Sequence, residues 1–149
     1  MALVLTLLHR ADMPEELIAD FWMLNIVKMT DKKTLVLGAT PDTSRYANLA
    51  ANRLVRSGHS IVNVGLKSGE VAGVTIEKPE QIHTDIDTIT LYVGPQHQPP
   101  LYDYIISTHP KRIIFNPGTE NSELKRMAKD AGIDTEYACT LVLLSTGQF

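Results

Sequence analysis

From Lys33 to the end of the chain, short apolar runs closed by glycine or proline alternate with longer stretches of helical periodicity. Thr34-Leu-Val-Leu-Gly38 predicts a buried strand that ends on glycine. In Arg45–Ser57, Tyr46, Leu49, Ala50 and Leu54 recur at helical spacing, with Thr43 or Ser44 placed to cap the start and Gly58 to stop the helix. Ile61-Val-Asn-Val64, closed by Gly65, predicts a second strand. A strand, a helix and a strand in about 30 residues is the size of a βαβ crossover, which implies parallel pairing.

The alternation continues. Gly69 and Gly73 bracket a turn, Gly73–Ile76 predicts a short strand, and Pro79–Ile82 a helical turn. Thr88–Val93 reads as a strand broken by Gly94-Pro95, Leu101–Thr108 as a helix led by Pro100, and Arg112–Phe115 as a strand. A turn at Asn116-Pro-Gly118 precedes a helix over Asn121–Ala131, stopped by Gly132, and a last strand over Ile133–Tyr137. The apolar tail Ala138–Leu144 calls for cover, from this subunit or from a second copy in a homodimer. The pattern specifies an α/β fold with an open parallel sheet and helices on both faces.

Ahead of this pattern, Ala2–Leu8 is apolar but lacks the basic flank and small-residue cleavage site of a secretory signal. Met13–Lys28 predicts an amphipathic helix, with Leu17, Ile18, Phe21, Trp22, Leu24 and Ile26 as its apolar set. Two readings stay open here. Residues 1–28 are an extension outside a domain that spans 29–149, or their helix docks on it.

The chain has 149 residues, 44% hydrophobic and 21% charged. That supports a single domain with a proper core and excludes wholesale disorder. A net charge of −3 argues against a broad nucleic-acid surface while leaving room for a local basic pocket. One cysteine excludes an internal disulfide framework, and no apolar run reaches the roughly 20 residues of a membrane helix. No histidine pair has metal-ligand spacing. These features predict a cytoplasmic protein without nucleic-acid, membrane or metal partners.

Ligands of open α/β sheets gather beyond the carboxyl ends of the strands, where strand order reverses. Gly38 stands where the dinucleotide fingerprint G-x-G-x-x-G begins, but Thr40 and Thr43 occupy its second and third glycine positions. What remains is a tight turn, the hydroxyls of Thr40, Thr43 and Ser44, and a helix start suited to phosphate. After the second strand an NAD site calls for an acid; this chain has Gly65-Leu-Lys67. A lysine there suits a phosphate on the ribose, as in NADP or another phosphorylated adenosine, or is a solvated surface charge. Asn116–Asn121 joins a turn to a helix start, with Gly118 permitting close approach and Glu120 a candidate acid or base without an evident partner. Cys139 reads as a small buried hydrophobe or as a nucleophile whose base is not evident among the five histidines.

Lys33-Thr-Leu-Val-Leu-Gly-Ala-Thr40, Tyr46-Ala-Asn48, Leu54 with Gly58-His59, and Gly73 resemble the small stand-alone CoA-binding domain proteins. Ile114–Asn121, Ala131-Gly-Ile133 and Ala138–Leu144 resemble one branch of that family closely, so that the likeness covers residues 32–149. The family is Rossmann-like and related to the CoA-binding domains of the succinyl-CoA synthetase α chain and of ADP-forming acyl-CoA synthetases. The resemblance implies that Gly38, Ala39 and Thr40, with Thr43, Ser44 and the helix carrying Tyr46 and Asn48, hold the CoA phosphates. It places Lys67 near the adenosine end and Gly94 and Gly118 along the pocket wall. Two departures stand out. There is no room for the synthetases' phosphohistidine and nucleotide-grasp domains, so ligase activity does not carry over. Threonine also replaces the family's usual serine at position 40. The expected function is non-covalent binding of CoA or an acyl-CoA, without independent catalysis. An NADP-binding or NADP-sensing protein, and an interaction module with a vestigial nucleotide pocket, are the alternatives.

Overall fold

The computed structural model describes residues 14–149. The reading of Ala2–Leu8, and the side chains of Leu24 and Ile26, lie outside the described residues. The chain separates into two compact units, divided between Asp31 and Lys32. In the first, helix α1 (Glu15–Thr30) starts after Pro14, whose carbonyl accepts from the amides of Leu17 and Ile18. Glu15 and Glu16 in the first turn complement the helix dipole. The helix runs through Met29 rather than ending before it.

The second unit is a seven-stranded sheet. Its strands are β1 (Thr34–Leu37), β2 (Ile61–Val64), β3 (Glu70–Val71), β4 (Val74–Glu77), β5 (Thr88–Leu91), β6 (Arg112–Phe115) and β7 (Asp134–Tyr137). Their spatial order is β3-β4-β2-β1-β5-β6-β7. All pairs are parallel except β3 with β4, a hairpin that the glycine spacing alone did not reveal. Its two-residue turn puts Ala72 at φ 54° and Gly73 at φ 78°, the left-handed pair that matches strand twist.

Helices α2 (Tyr46–Arg56), α3 (Tyr102–Thr108), α4 (Ser122–Asp130) and α5 (Thr140–Ser145) complete the unit. Alternation along β1 divides two cores. Leu35 and Leu37 join Val62, Ile89, Leu91, Ile113 and Phe115 with Ile105 of α3 and Leu124 of α4. Val36 joins Ala47, Ala51 and Leu54 of α2 with Ile61 and Ile76. Helices therefore cover both faces, and this is a Rossmann-like α/β fold. β1 and β5 lie side by side although β1 leads outward to β2 and β4 and β5 leads the other way to β6 and β7. The strand order reverses at that pair.

Three expectations change in detail. Residues 79–82 form turns and bends rather than a helical turn. There the amide of Glu80 bonds the carbonyl of Lys78, too tight a link for helix. The stretch before α3 is a pair of short 3-10 turns, Pro95–His97 and Pro99–Leu101, because Pro99 and Pro100 lack the amides that a continuous α-helix would bond to the carbonyls of Pro95 and Gln96. The apolar tail forms α5, in which Thr140 is buried and Leu144 packs on the α2-side core while Val142 stays exposed. None of the described helices is long and apolar enough to cross a membrane.

Candidate functional site

The loops after β1, β2 and β5 enclose a cleft of about 760 Å³ at the point of strand reversal. Backbone bonds shape its first loop. The amides of Gly38 and Ala39 donate to the carbonyl of Val64, so the loop after β1 leans on the end of β2. Gly38 adopts φ +98°, and a Cβ there would come within 2.9 Å of the Tyr92 carbonyl oxygen. At Gly65 a Cβ would collide with the carbonyl oxygen of Ala39. Glycine at both positions lets three strand ends converge. Asn48, buried in α2, donates its side-chain amide to the carbonyl of Thr40 at 3.0 Å, anchoring the loop to the helix behind it.

Of the residues singled out from sequence, Gly38, Ala39, Thr40, Ser44, Tyr46 and Lys67 line this cleft. Thr43, Asn48, Gly94 and Gly118 are not among its lining residues. Asn48 supports the loop from below. Gly94 lies between Val93 of the wall and the first 3-10 turn. Gly118 adopts φ +92° in the turn after β6, where Glu120 folds back to accept from its amide. Ser44 does not cap α2. Its amide and hydroxyl both donate to Asp42 Oδ1, leaving Arg45 as the N-cap residue without a side-chain bond. These bonds from Ser44 hold the Asp42 carboxyl below the usual carboxylate range, with Arg45 and Lys67 adding a smaller electrostatic pull.

Sequence reasoning missed Arg45, Tyr92, Gln96 and His97, which also line the cleft. Arg45 was legible as the residue one step before the helix face begins. Tyr92 follows the last residue of β5 at the carboxyl end of the strand. The lining holds two basic side chains, Arg45 and Lys67, and no carboxylate, in a chain of net charge −3. Tyr46 and Leu66, 71% and 79% exposed, offer apolar surface at the same opening. Lys78 donates to the Leu66 carbonyl at 2.7 Å and fixes the second loop. Among the described residues no group of histidine, cysteine and carboxylate side chains could hold a metal ion.

On the far side of Tyr92, Gln98 is fully buried and donates to the carbonyls of Val93 and Thr119, each at 2.8 Å. It also accepts from Asn121, the N-cap of α4. This one amide joins the loops after β5 and β6 into a continuous wall.

An opening at the strand reversal, a glycine-shaped first loop and cationic lips belong to a Rossmann-like α/β fold. The family model for the CoA binding domain matches residues 32–145, and the chain belongs to that family. The crystal structure of an uncharacterized protein is 53% identical, with a TM-score of 0.79 over 80% of this chain and 99% of the other. A hypothetical protein from Pyrococcus horikoshii OT3 is 25% identical, with a TM-score of 0.67 over 85% of this chain and 90% of its own. A Thermus thermophilus protein, cell-free ID.343, at 20% identity and a TM-score of 0.70, covers 86% of this chain and 98% of its own, and shows the fold alone. No curated protein matches the chain.

Proposed function

We propose that the domain binds coenzyme A or an acyl-CoA without covalent attachment and performs no chemistry by itself. The observation that carries this is the cleft lining, in which Arg45 and Lys67 stand beside the Gly38–Thr40 loop without any carboxylate. The Thr40 hydroxyl and the amino end of α2 face the pyrophosphate, Lys67 takes the phosphate on the ribose, and Tyr46 and Leu66 cover the adenine. The same lysine suits NADP, so the test sets the two ligands against each other. A ligand that binds only the folded state raises the melting temperature by mass action. CoA is expected to do so with concentration while NADP does not. Stabilisation by NADP alone replaces the CoA reading with the nicotinamide one. Stabilisation by neither leaves the interaction module.

A further inference from the structure

The loop after β2, residues 65–69, carries Lys67 on the rim of the cleft. Three bonds tie it to β4 and the residue that follows. The Gly65 amide donates to the Glu77 carbonyl at 3.0 Å. Lys78 Nζ donates to the Leu66 carbonyl at 2.7 Å, and the Ile76 amide to the Gly69 carbonyl at 2.8 Å. Ile76, Glu77 and Lys78 are consecutive across the carboxyl end of β4, so this strand end sets where the lysine loop stands.

The strand stops there because Pro79 has no amide with which to continue the ladder. The chain then runs over the surface. From Lys78 to Asp85 every residue is exposed except Pro79, which lines the cleft, and His83. His83 turns back and donates from Nε2 to the Glu77 carboxylate. Its side chain is only 17% exposed, so little water competes for that bond. The imidazole thereby pins the excursion over residues 78–82 to the strand end that holds the Lys67 loop. Neither Glu77 nor His83 lines the cleft, so any effect they have on a ligand passes through the residues they hold.

We propose that the Glu77–His83 pair positions Lys67 for a phosphate on the ribose, and so sets the preference of the cleft for a 3′-phosphorylated adenosine. The inference rests on the CoA reading of the cleft. A lysine ammonium rides on a flexible four-carbon stem, and its reach is set by the backbone beneath it. The pair fixes that backbone from behind, with neither group in the path of the ligand. Glu77 and His83 are positioning residues, and the phosphate contact belongs to Lys67.

Titration calorimetry with CoA and dephospho-CoA, which differ only in that phosphate, tests this. His83→Phe keeps the bulk of the ring and removes the bond. It is expected to lower the preference for CoA over dephospho-CoA about threefold, within the roughly tenfold expected from Lys67 itself. Glu77→Leu severs the same bond from the other side and should lower the preference alike, while Glu77→Gln, which retains an acceptor, should restore most of it. On a Lys67→Ala background His83→Phe should change the preference no further, because its effect runs through that lysine. The ratio between two ligands within one variant cancels general damage to the fold. An unchanged ratio in His83→Phe or in Glu77→Leu, or an equal fall with Lys67 already removed, overturns the positioning role. A wild type that binds CoA and dephospho-CoA equally overturns it as well and leaves the CoA reading standing. Absence of binding by either ligand overturns both.

Discussion

The guanidinium of Arg112 lies 4.4 Å from the centre of the Phe149 ring and donates to the Phe149 carbonyl oxygen at 3.1 Å. The same arginine donates to Thr88 Oγ1 at 2.8 Å and to Glu136 at 3.1 Å, so one side chain crosses three adjacent strands before reaching the last residue. Lys32 donates to the same carbonyl, and the His59 ring lies 4.9 Å from that of Phe149. The chain end thereby joins the starts of β1, β5 and β6. Phe149→Ala removes the ring from these contacts and should cost about 1–3 kcal/mol in urea unfolding. A loss below a few tenths would show that the arginine holds the segment through the carbonyl alone.

Gly65→Ala tests the convergence of loops. Its Cβ meets backbone, the Ala39 carbonyl oxygen, which cannot swing aside as a side chain can. The substitution should lower stability by about 1–3 kcal/mol and weaken CoA binding beyond that loss, since the loop it displaces forms the cleft. Calorimetric melting and ligand titration check both. Gly58→Ala, where an added Cβ meets open space, is the comparison: it carries strain at φ +87° but leaves the cleft intact.

Lys67 is separable from the rest of the cleft by a pair of ligands. CoA and dephospho-CoA differ only in the phosphate on the ribose. The wild type should prefer CoA, and Lys67→Ala should lose about tenfold of that preference. Thr40→Ala should weaken both ligands alike, because its proposed contact is to the pyrophosphate they share. Undiminished discrimination in Lys67→Ala returns the residue to the solvated surface.

Alkaline titration follows from Tyr92 and Tyr104. Burial raises both phenols from 10.0 to about 12. A raised folded pKa means that the contribution to stability is whole below pH 10.0 and is lost as the pH climbs toward 12. Unfolding free energy should therefore decline over that window, and tyrosinate absorbance should show two phenols ionising late. In Tyr92→Phe one of the late phenols disappears and the decline becomes shallower.

A chain begun at Met29 should fold and melt within a few degrees of the full-length protein, because both cores are formed from residues beyond Asp31. Insolubility, or a markedly lower melting temperature, would assign the Phe21–Trp22 segment to the core of the domain.

The βα alternation was readable because β1, β2, β5 and β6, the middle of the sheet, are short and almost wholly buried runs rich in aliphatic residues. β3 was not, since two residues, Glu70 and Val71, give no periodicity. The first loop was legible through Gly38, but the partition of its polar side chains was not. Asp42 takes the Ser44 hydroxyl that composition assigned to a ligand or a cap. Asn48 turns its amide to the loop carbonyl rather than into the cleft. Such choices depend on distances across the fold, as does the burial of Gln98, a residue type more often found at the surface. Tyr92 escaped notice for the same reason. Nothing in a strand-ending tyrosine tells that its hydroxyl is covered on all sides.

The bonds that shape the Gly38–Thr40 loop run to Val64 and Asn48, and none of them needs a ligand. A ligand entering the cleft would find this loop already in place. Encounter with CoA should be a single kinetic step whose rate rises linearly with ligand concentration and falls with added salt, as the cationic lips of the cleft are screened. Differences in affinity between ligands would then reside in how long each one stays.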